Sequence, residues 1–321
     1  MLRVRMDERS RLTSVIALTG ATGFIGRELQ SQMLAAGYPV RALVRPDSQH
    51  RSQLLAGIHV VEVALNDERT LASALDGVAM LVHCAGAVRG AVPSDFASAN
   101  IDGLRHLCLA AAAQSTPPYI LLISSLAASR PQLSNYAQSK FEGEQVLRSM
   151  ASLSWTILRP PAVYGPGDRE MLPLFRAIRA GLALIVGPAA QRLSLLHVED
   201  LGRAVLACIE HQSVCSGLVF ELDDGQERGY SWQDIIGAAR GVMPVCELHV
   251  PRSLLLVIAR LNLWLCAVLG RAPMLTPGKV RELSEPSWLC DNSGLHAATG
   301  WVPQLPLRAG LRRMFGEPLF L

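Results

Sequence analysis

Tyr136 and Lys140 stand four residues apart in "SSLAASRPQLSNYAQSK" (124–140), and Ser125 precedes the tyrosine by eleven positions. On a helix, positions i and i+4 share one face, so the phenol and the ammonium can act together. A free tyrosine ionises near pH ~10, too high for proton exchange near neutrality. An adjacent ammonium, and an oxidised nicotinamide ring, would stabilise the phenolate and lower that value. Lys140 can also hold the nicotinamide ribose. Ser125 ends the apolar run "YILLISS" (119–125), where its hydroxyl can bond a carbonyl or alcohol oxygen. Together the three groups suit an oxygen that gains or loses a proton while its carbon exchanges hydride. A YxxxK pair alone is common on helix surfaces; its setting gives it meaning.

That setting begins with "LTGATGFIG", which holds Gly20, Gly23 and Gly26 between a predicted strand and a predicted helix. Gly20 permits the tight turn, Gly23 lets backbone approach a pyrophosphate, and Gly26 lets the helix pack on the strand. The helix N-terminus offers free N–H groups to phosphate. A plain tight turn is the bland alternative. The second strand ends "ALVRPDS", with Val44 near the position where an acid would bind the ribose 2′-OH of NAD. Arg45 follows and can pair with a 2′-phosphate, which favours NADP(H). Arg41 and Ser48 are secondary candidates. Asp47 is the opposing feature, since it could reach the ribose and admit NAD(H).

Elements that could position these groups recur along the chain. Apolar runs at 14–20, 39–45, 58–63, 79–86, 119–125 and 154–160 read as strands. Helical patterns at 24–36, 67–76, 95–114 and 134–151 separate them. Such alternation predicts an α/β fold, a doubly wound parallel sheet of Rossmann type. "RPPAVYGPGD" (159–168) reads as a loop leaving the sheet. "LSLLHVEDLGRAVLACIEH" (193–211) reads as a strand, a cap region at Asp200 and a helix. The expected organisation is a loose tail at 1–13, a nucleotide lobe at 14–165, a substrate-lobe segment at 166–192, a return to the first lobe at 193–222, and a smaller, mostly helical substrate lobe at 223–321.

Bulk properties exclude other classes. The 321 residues are 50% hydrophobic and 18% charged, with net charge +3 and mean hydropathy +0.26, so the chain is neither disordered nor a nucleic-acid binder. Seven scattered cysteines form no CxxC pair; they read as reduced thiols of a cytosolic protein and define no metal site. The start "MLRVRMDERSRLTS" has no apolar core and does not read as a secretory signal.

"TGATGFIG", "HCAG", "SS…YAQSK", "RPPAVYGPGD" and "HVEDL" occur in an order that resembles the extended short-chain dehydrogenases/reductases, and together they cover most of the chain. The resemblance implies Ser125, Tyr136 and Lys140 as catalytic residues. It also implies Asn100, whose carbonyl would support a water near Lys140. Thr22, Phe24, Ile25, Leu65, Ala85, Pro160 and Val163 join Gly20, Gly23, Gly26 and Arg45 as cofactor neighbours, with Tyr136 and Lys140. His83 lies on the cofactor side of the fourth strand and reads as a core histidine. "SSLAAS" lacks the acid that 4,6-dehydratases carry after the serine. Leu193 stands where nucleotide-sugar epimerases place a phosphate-holding arginine, and Arg192 is displaced by one. Ala64 replaces the aspartate usual near the adenine. The pattern is closest to the hydroxysteroid-dehydrogenase and dihydroflavonol-reductase-like branch. It implies an NADPH-linked reductase or dehydrogenase of an apolar small molecule. A nucleotide-sugar epimerase with tightly held NAD and a non-catalytic NADPH binder are the alternatives; the intact triad speaks against the latter. A homodimer through Rossmann-lobe helices is also implied.

One stretch, "SLLLVIARLNLWLCAVLG" (253–270), has the length of a membrane span but carries Arg260 and Asn262 at its middle. A buried helix of the substrate lobe is the preferred reading. A helix closing an apolar pocket and a peripheral membrane contact, with Trp264 at the headgroups, stay open.

Overall fold

Runs of β-branched and aliphatic residues become strands because a sheet covered on both faces needs apolar side chains on both. The computed structural model describes residues 8–242 and 244–316. Its strands are β1 (Val15–Thr19), β2 (Val40–Val44), β3 (His59–Glu62), β4 (Val78–His83), β5 (Tyr119–Ile123), β6 (Trp155–Arg159), β7 (Ala162–Tyr164), β8 (Leu182–Val186), β9 (Arg192–Leu193), β10 (Leu195–His197), β11 (Leu218–Glu221), β12 (Cys246–Val250) and β13 (Ser287–Trp288). Its α-helices are α1 (Glu8–Thr13), α2 (Phe24–Ala35), α3 (Glu68–Ala74), α4 (Pro93–Ala97), α5 (Gly103–Ala112), α6 (Asn135–Arg148), α7 (Leu172–Arg179), α8 (Val198–Glu210), α9 (Gln212–Cys215), α10 (Trp232–Ala239), α11 (Arg252–Val268), α12 (Pro277–Leu283), α13 (Ser293–Thr299) and α14 (Leu307–Phe315).

Seven strands form one parallel sheet in the order β11-β6-β5-β4-β1-β2-β3. The order reverses between β1 and β4, so the crevice beyond their carboxyl ends is the ligand-binding switch point of such folds. Alternate residues feed two cores. Ile16, Leu18 and Met80 meet Leu29 and Met33 of α2 and Leu201 and Val205 of α8. Ala17, Leu81 and Ile120 meet Leu71 of α3, Leu107 of α5 and Leu147 of α6. Each aliphatic side chain buried this way contributes roughly 1.5–3 kcal/mol. A third core, with Phe175, Ile185, Trp232 and Leu311, builds the smaller lobe. Short parallel pairs β7–β10, β8–β12 and β9–β13 accompany it.

Five expectations change. The 159–168 loop contains β7, where Val163 aligns with Leu196, because buried Tyr164 gives the segment an apolar anchor. The 95–114 helix is interrupted by a π-helical turn at Ser98–Asp102. The cap of α8 is His197, whose Nδ1 accepts from the Glu199 N–H at 3.3 Å. Asp200 is instead fully buried, holding Arg203 at 2.6 Å and the N–H groups of Gln304 and Leu305 at 2.8 and 2.9 Å. Of the loose tail, residues 1–7 lie outside the described residues, but 8–13 form α1. There Arg11 pairs with Glu210 at 2.7 Å and lies over the Tyr38 ring. Finally, α11 is not a buried helix: only Leu255 and Ala259 along it are buried. Apolar composition foretold a helix and not what covers it.

Candidate active site

The glycine loop sits at the switch point. Gly20 has φ +68°, and a Cβ there would stand 2.7 Å from the Ala85 nitrogen at the end of β4. A Cβ on Gly26 would stand 2.0 Å from the Gly20 carbonyl oxygen, so α2 starts hard against the turn. Gly23 is the exposed N-cap of α2 and supplies no side-chain cap, leaving N–H groups of the first turn facing out. Thr22, Phe24 and Ile25 are half-buried beside it. This cradle fits a dinucleotide pyrophosphate. Thr19 braces it: its hydroxyl accepts from the N–H groups of Cys84 and Ala85 at 3.2 Å and meets His83 Nδ1 at 2.9 Å. His83 is 1% exposed, and burial, assisted by the Lys140 charge, lowers its pKa to about 3. A neutral, hydrogen-bonded core histidine is what the geometry describes.

Ser125, Tyr136 and Lys140 come together at the carboxyl edge of β5. Ser134 caps α6 by accepting from the Ala137 N–H at 3.0 Å, which starts the helix one residue before the tyrosine. Lys140 Nζ donates to the Ile123 carbonyl at 2.8 Å. Burial lowers the Lys140 pKa to about 8, against the pull of Cys84 and Glu144. Burial raises Tyr136 to about 12; hydrogen bonding to Ser125 opposes this and Glu282 adds to it. The expected lowering of Tyr136 by Lys140 is therefore not seen. Desolvation prevails, and the ammonium is engaged by a carbonyl.

Asn100 lies in the π-helical turn, 4% exposed. Its Oδ1 accepts from the Ala87 N–H at 2.8 Å, and its Nδ2 donates to the Ala87 carbonyl at 3.0 Å and to Ser139 Oγ at 2.8 Å. Its main-chain oxygen lies so close to α6 that a Cβ on Gly143 would be 2.4 Å away. The π turn thus clamps the β4 loop to the helix carrying the tyrosine and lysine.

The remaining predicted residues divide. Arg45 is exposed just past β2, with Asp47 3.8 Å away, while Val44 is buried. Arg41 Nη1 donates to the Ala74 and Asp76 carbonyls at 2.8 Å, which turns this guanidinium toward the C-terminal end of α3. Ser48 is half-buried, and its N–H donates to the Arg45 carbonyl. Leu65 is half-buried and packs in the α3–α5 core. Pro160 is buried, its carbonyl accepting from the Leu126 N–H, and Val163 is half-buried in β7. Leu193 packs against the third core, and Arg192 is 3.6 Å from Asp234.

Two buried carboxylates escaped sequence reasoning. Glu144, fully buried on α6, receives Ser124 Oγ at 2.6 Å and Arg159 at 2.9 and 2.6 Å. Glu282, on α12, bonds the Ser134 hydroxyl and pairs with Lys279 at 2.8 Å.

A parallel switch-point sheet with a glycine cradle and this polar cluster defines the class of nicotinamide-dinucleotide enzymes with a Rossmann lobe. The description NAD dependent epimerase/dehydratase family matches residues 16–221. The chain belongs to that family, the extended short-chain dehydrogenases/reductases, and is an NAD(P)-dependent oxidoreductase. It is 36% identical to a ceramide reductase of Caulobacter vibrioides over 94% of this chain and 90% of that protein. It is 25% identical to a 2-alkyl-3-oxoalkanoate reductase of Stenotrophomonas maltophilia, covering 93% and 98%. In fold it resembles UDP-glucuronic acid 4-epimerase from Bacillus cereus, solved with UDP-glucuronic acid and NAD. The TM-score is 0.70 at 18% identity, covering 94% of this chain and 98% of that one.

Proposed function

We propose that this chain is an NADPH-dependent ketone reductase of a long-chain, apolar substrate, working through Ser125, Tyr136 and Lys140. The meeting of Ser125, just past the carboxyl end of β5, with Tyr136 on α6 carries the reading, and Lys140, one turn along, donates to the Ile123 carbonyl. Bound NADPH would supply the hydride to the substrate's carbonyl carbon. Ser125 Oγ donates to the carbonyl oxygen and fixes it beside the phenol. Tyr136 Oη gives that oxygen a proton, yielding the secondary alcohol, and recovers one from solvent. Burial keeps the phenol protonated at neutral pH, so the tyrosine enters as an acid, as reduction requires. The charge on Lys140 offsets the phenolate formed and holds the cofactor ribose. Asn100 keeps the β4 loop and α6 in register.

The cradle at Gly20, Gly23 and Gly26 would hold the pyrophosphate and Arg45 the 2′-phosphate. Arg45→Glu is expected to weaken NADPH binding by roughly tenfold to a hundredfold, the worth of a charged hydrogen bond, and to affect NADH much less. Fluorescence titration reads this. Equal wild-type affinity for the two cofactors would point to Asp47 as the selecting group and reject the assignment.

The substrate class rests on two supports. Relatives named for ceramide and alkyl-oxoalkanoate reduction favour aliphatic carbonyl compounds. Moreover, Arg192 pairs with Asp234 and Leu193 is apolar, so this position offers a sugar diphosphate no free arginine, and a clamp would have to come from Arg169 or Arg176. In a thermal-shift screen with NADPH present, long-chain ketones should stabilise the protein and UDP- or dTDP-sugars should not. The reverse outcome would promote the epimerase alternative, with retained NAD.

A further inference from the structure

Helix α11 presents its apolar side to solvent. Its packed face is narrow: Leu255 and Ala259 rest on Val280 of α12, and Asn262 Nδ2 donates to the Leu275 carbonyl at 2.9 Å. The opposite face carries Leu254, Val257, Leu261, Trp264, Leu265 and Val268, each between 49% and 68% exposed. Their spacing of three and four residues makes one continuous stripe along more than four turns. A stripe of that length is more than the scattered exposed apolar residues of an ordinary surface.

We propose that this stripe is a membrane-docking surface, laid flat on an anionic bilayer. The charge around it selects that occupant. From Leu248 to Arg281 the chain contains Arg252, Arg260, Arg271, Lys279 and Arg281 and no aspartate or glutamate. Arg252, Arg260 and Arg271 form no ion pair among the described residues. An apolar face flanked by unpaired Arg260, with unpaired Arg271 just past the end of the helix, matches acyl chains beneath anionic headgroups. Trp264, the most exposed of the six, has the amphipathic ring favoured at that boundary.

The helix lies on the bilayer and does not cross it. No helix among the described residues is long and apolar enough to span. The 17 residues of α11 extend about 26 Å, short of the ~30 Å hydrocarbon core, and Arg260 sits near the middle. A second copy of the chain fits less well, because a two-fold pairing of identical stripes would set one basic border against another. The seat is also rigidly tied to the tyrosine helix: α12, beneath α11, bonds the α6 cap through Glu282 and Ser134, and Arg281 Nε donates to the Leu133 carbonyl at 2.7 Å. The inference stands whatever the substrate proves to be.

Vesicle flotation of the full chain tests it, with phosphatidylcholine alone against phosphatidylcholine containing roughly one third phosphatidylglycerol. The wild type should float with the anionic vesicles, less with the neutral ones, and be released by salt. The pair Leu261→Glu and Trp264→Glu should cut binding by about tenfold or more, and Arg260→Glu should weaken it on anionic vesicles. Brominated-lipid quenching, compared between the wild type and Trp264→Phe, reports insertion of that ring even where the double variant fails to fold. No flotation on either vesicle, or equal flotation of wild type and a folded double variant, overturns the proposal. So does a dimer in sedimentation that the double variant dissolves without any vesicle binding, which would assign the stripe to a second copy.

Discussion

Tyr136→Phe is expected to reduce turnover by about 10²–10⁴-fold, the usual worth of a general acid, while NADPH binding persists. The variant removes one oxygen and leaves the ring that meets Phe96 at 6.2 Å between centroids, so the packing of α6 should be preserved. Ser125 would keep its capping bond from the Ala127 N–H at 3.2 Å. Burial holds the wild-type phenol near 12, so it is protonated through the neutral range. Lys140, near 8, loses its charge first as pH rises. Reduction should therefore decline above about pH 8 through the lysine, well before the tyrosine ionises. Steady-state rates on a substrate found in the screen, beside cofactor titration of the same variant, check the assignment. A rate within a few-fold of wild type would remove Tyr136 from the chemistry.

What could be read in the sequence was what depends on neighbours along the chain. The glycine spacing carries its meaning locally, since Gly20 and Gly26 collide within one turn. The inner strands announced themselves as apolar runs because both faces of the sheet are covered there, whereas β3, at the edge, is largely exposed. The pairing of Tyr136 with Lys140 follows from helical geometry alone. Contacts between distant segments left no such trace. β7 exists because β10 lies beside it, some thirty residues later. The π turn that lodges Asn100 against Gly143 interrupts an otherwise regular helical pattern without any glycine or proline inside it. Burial, which raises the pKa of Tyr136, is not visible in a sequence, whereas its proximity to an ammonium is. Likewise α11 is apolar in composition whether it faces a core or a bilayer, and only its packing separates the two.

Glu144→Ala should be the most damaging change to the fold near the site, costing about 3–5 kcal/mol, because it breaks a buried ion pair on one side only. Glu144 joins three elements: α6, on which it sits, β6 through Arg159, and the end of β5 through Ser124. Alanine would leave Arg159, whose side chain is 15% exposed, with Glu221 at 4.0 Å as its remaining ion-pair partner among the described residues. The Ser124 hydroxyl would lose its acceptor as well. The damage would reach the chemistry by two routes. α6 carries Tyr136 and Lys140, so loosening its inner face moves both. Glu144 also favours the charged form of Lys140, so its loss should drive that amine further below its ordinary pKa and shift the alkaline decline of the rate to lower pH. Glu144→Gln keeps the shape and part of the hydrogen bonding and should fall between the two. An apolar pair, Glu144→Leu with Arg159→Met, should recover stability relative to Glu144→Ala, because neither charge then remains buried without its partner. Urea denaturation measures the series. A loss below about 1 kcal/mol for Glu144→Ala would mean that water reaches Arg159 and that the ion pair does not hold the tyrosine helix to the sheet.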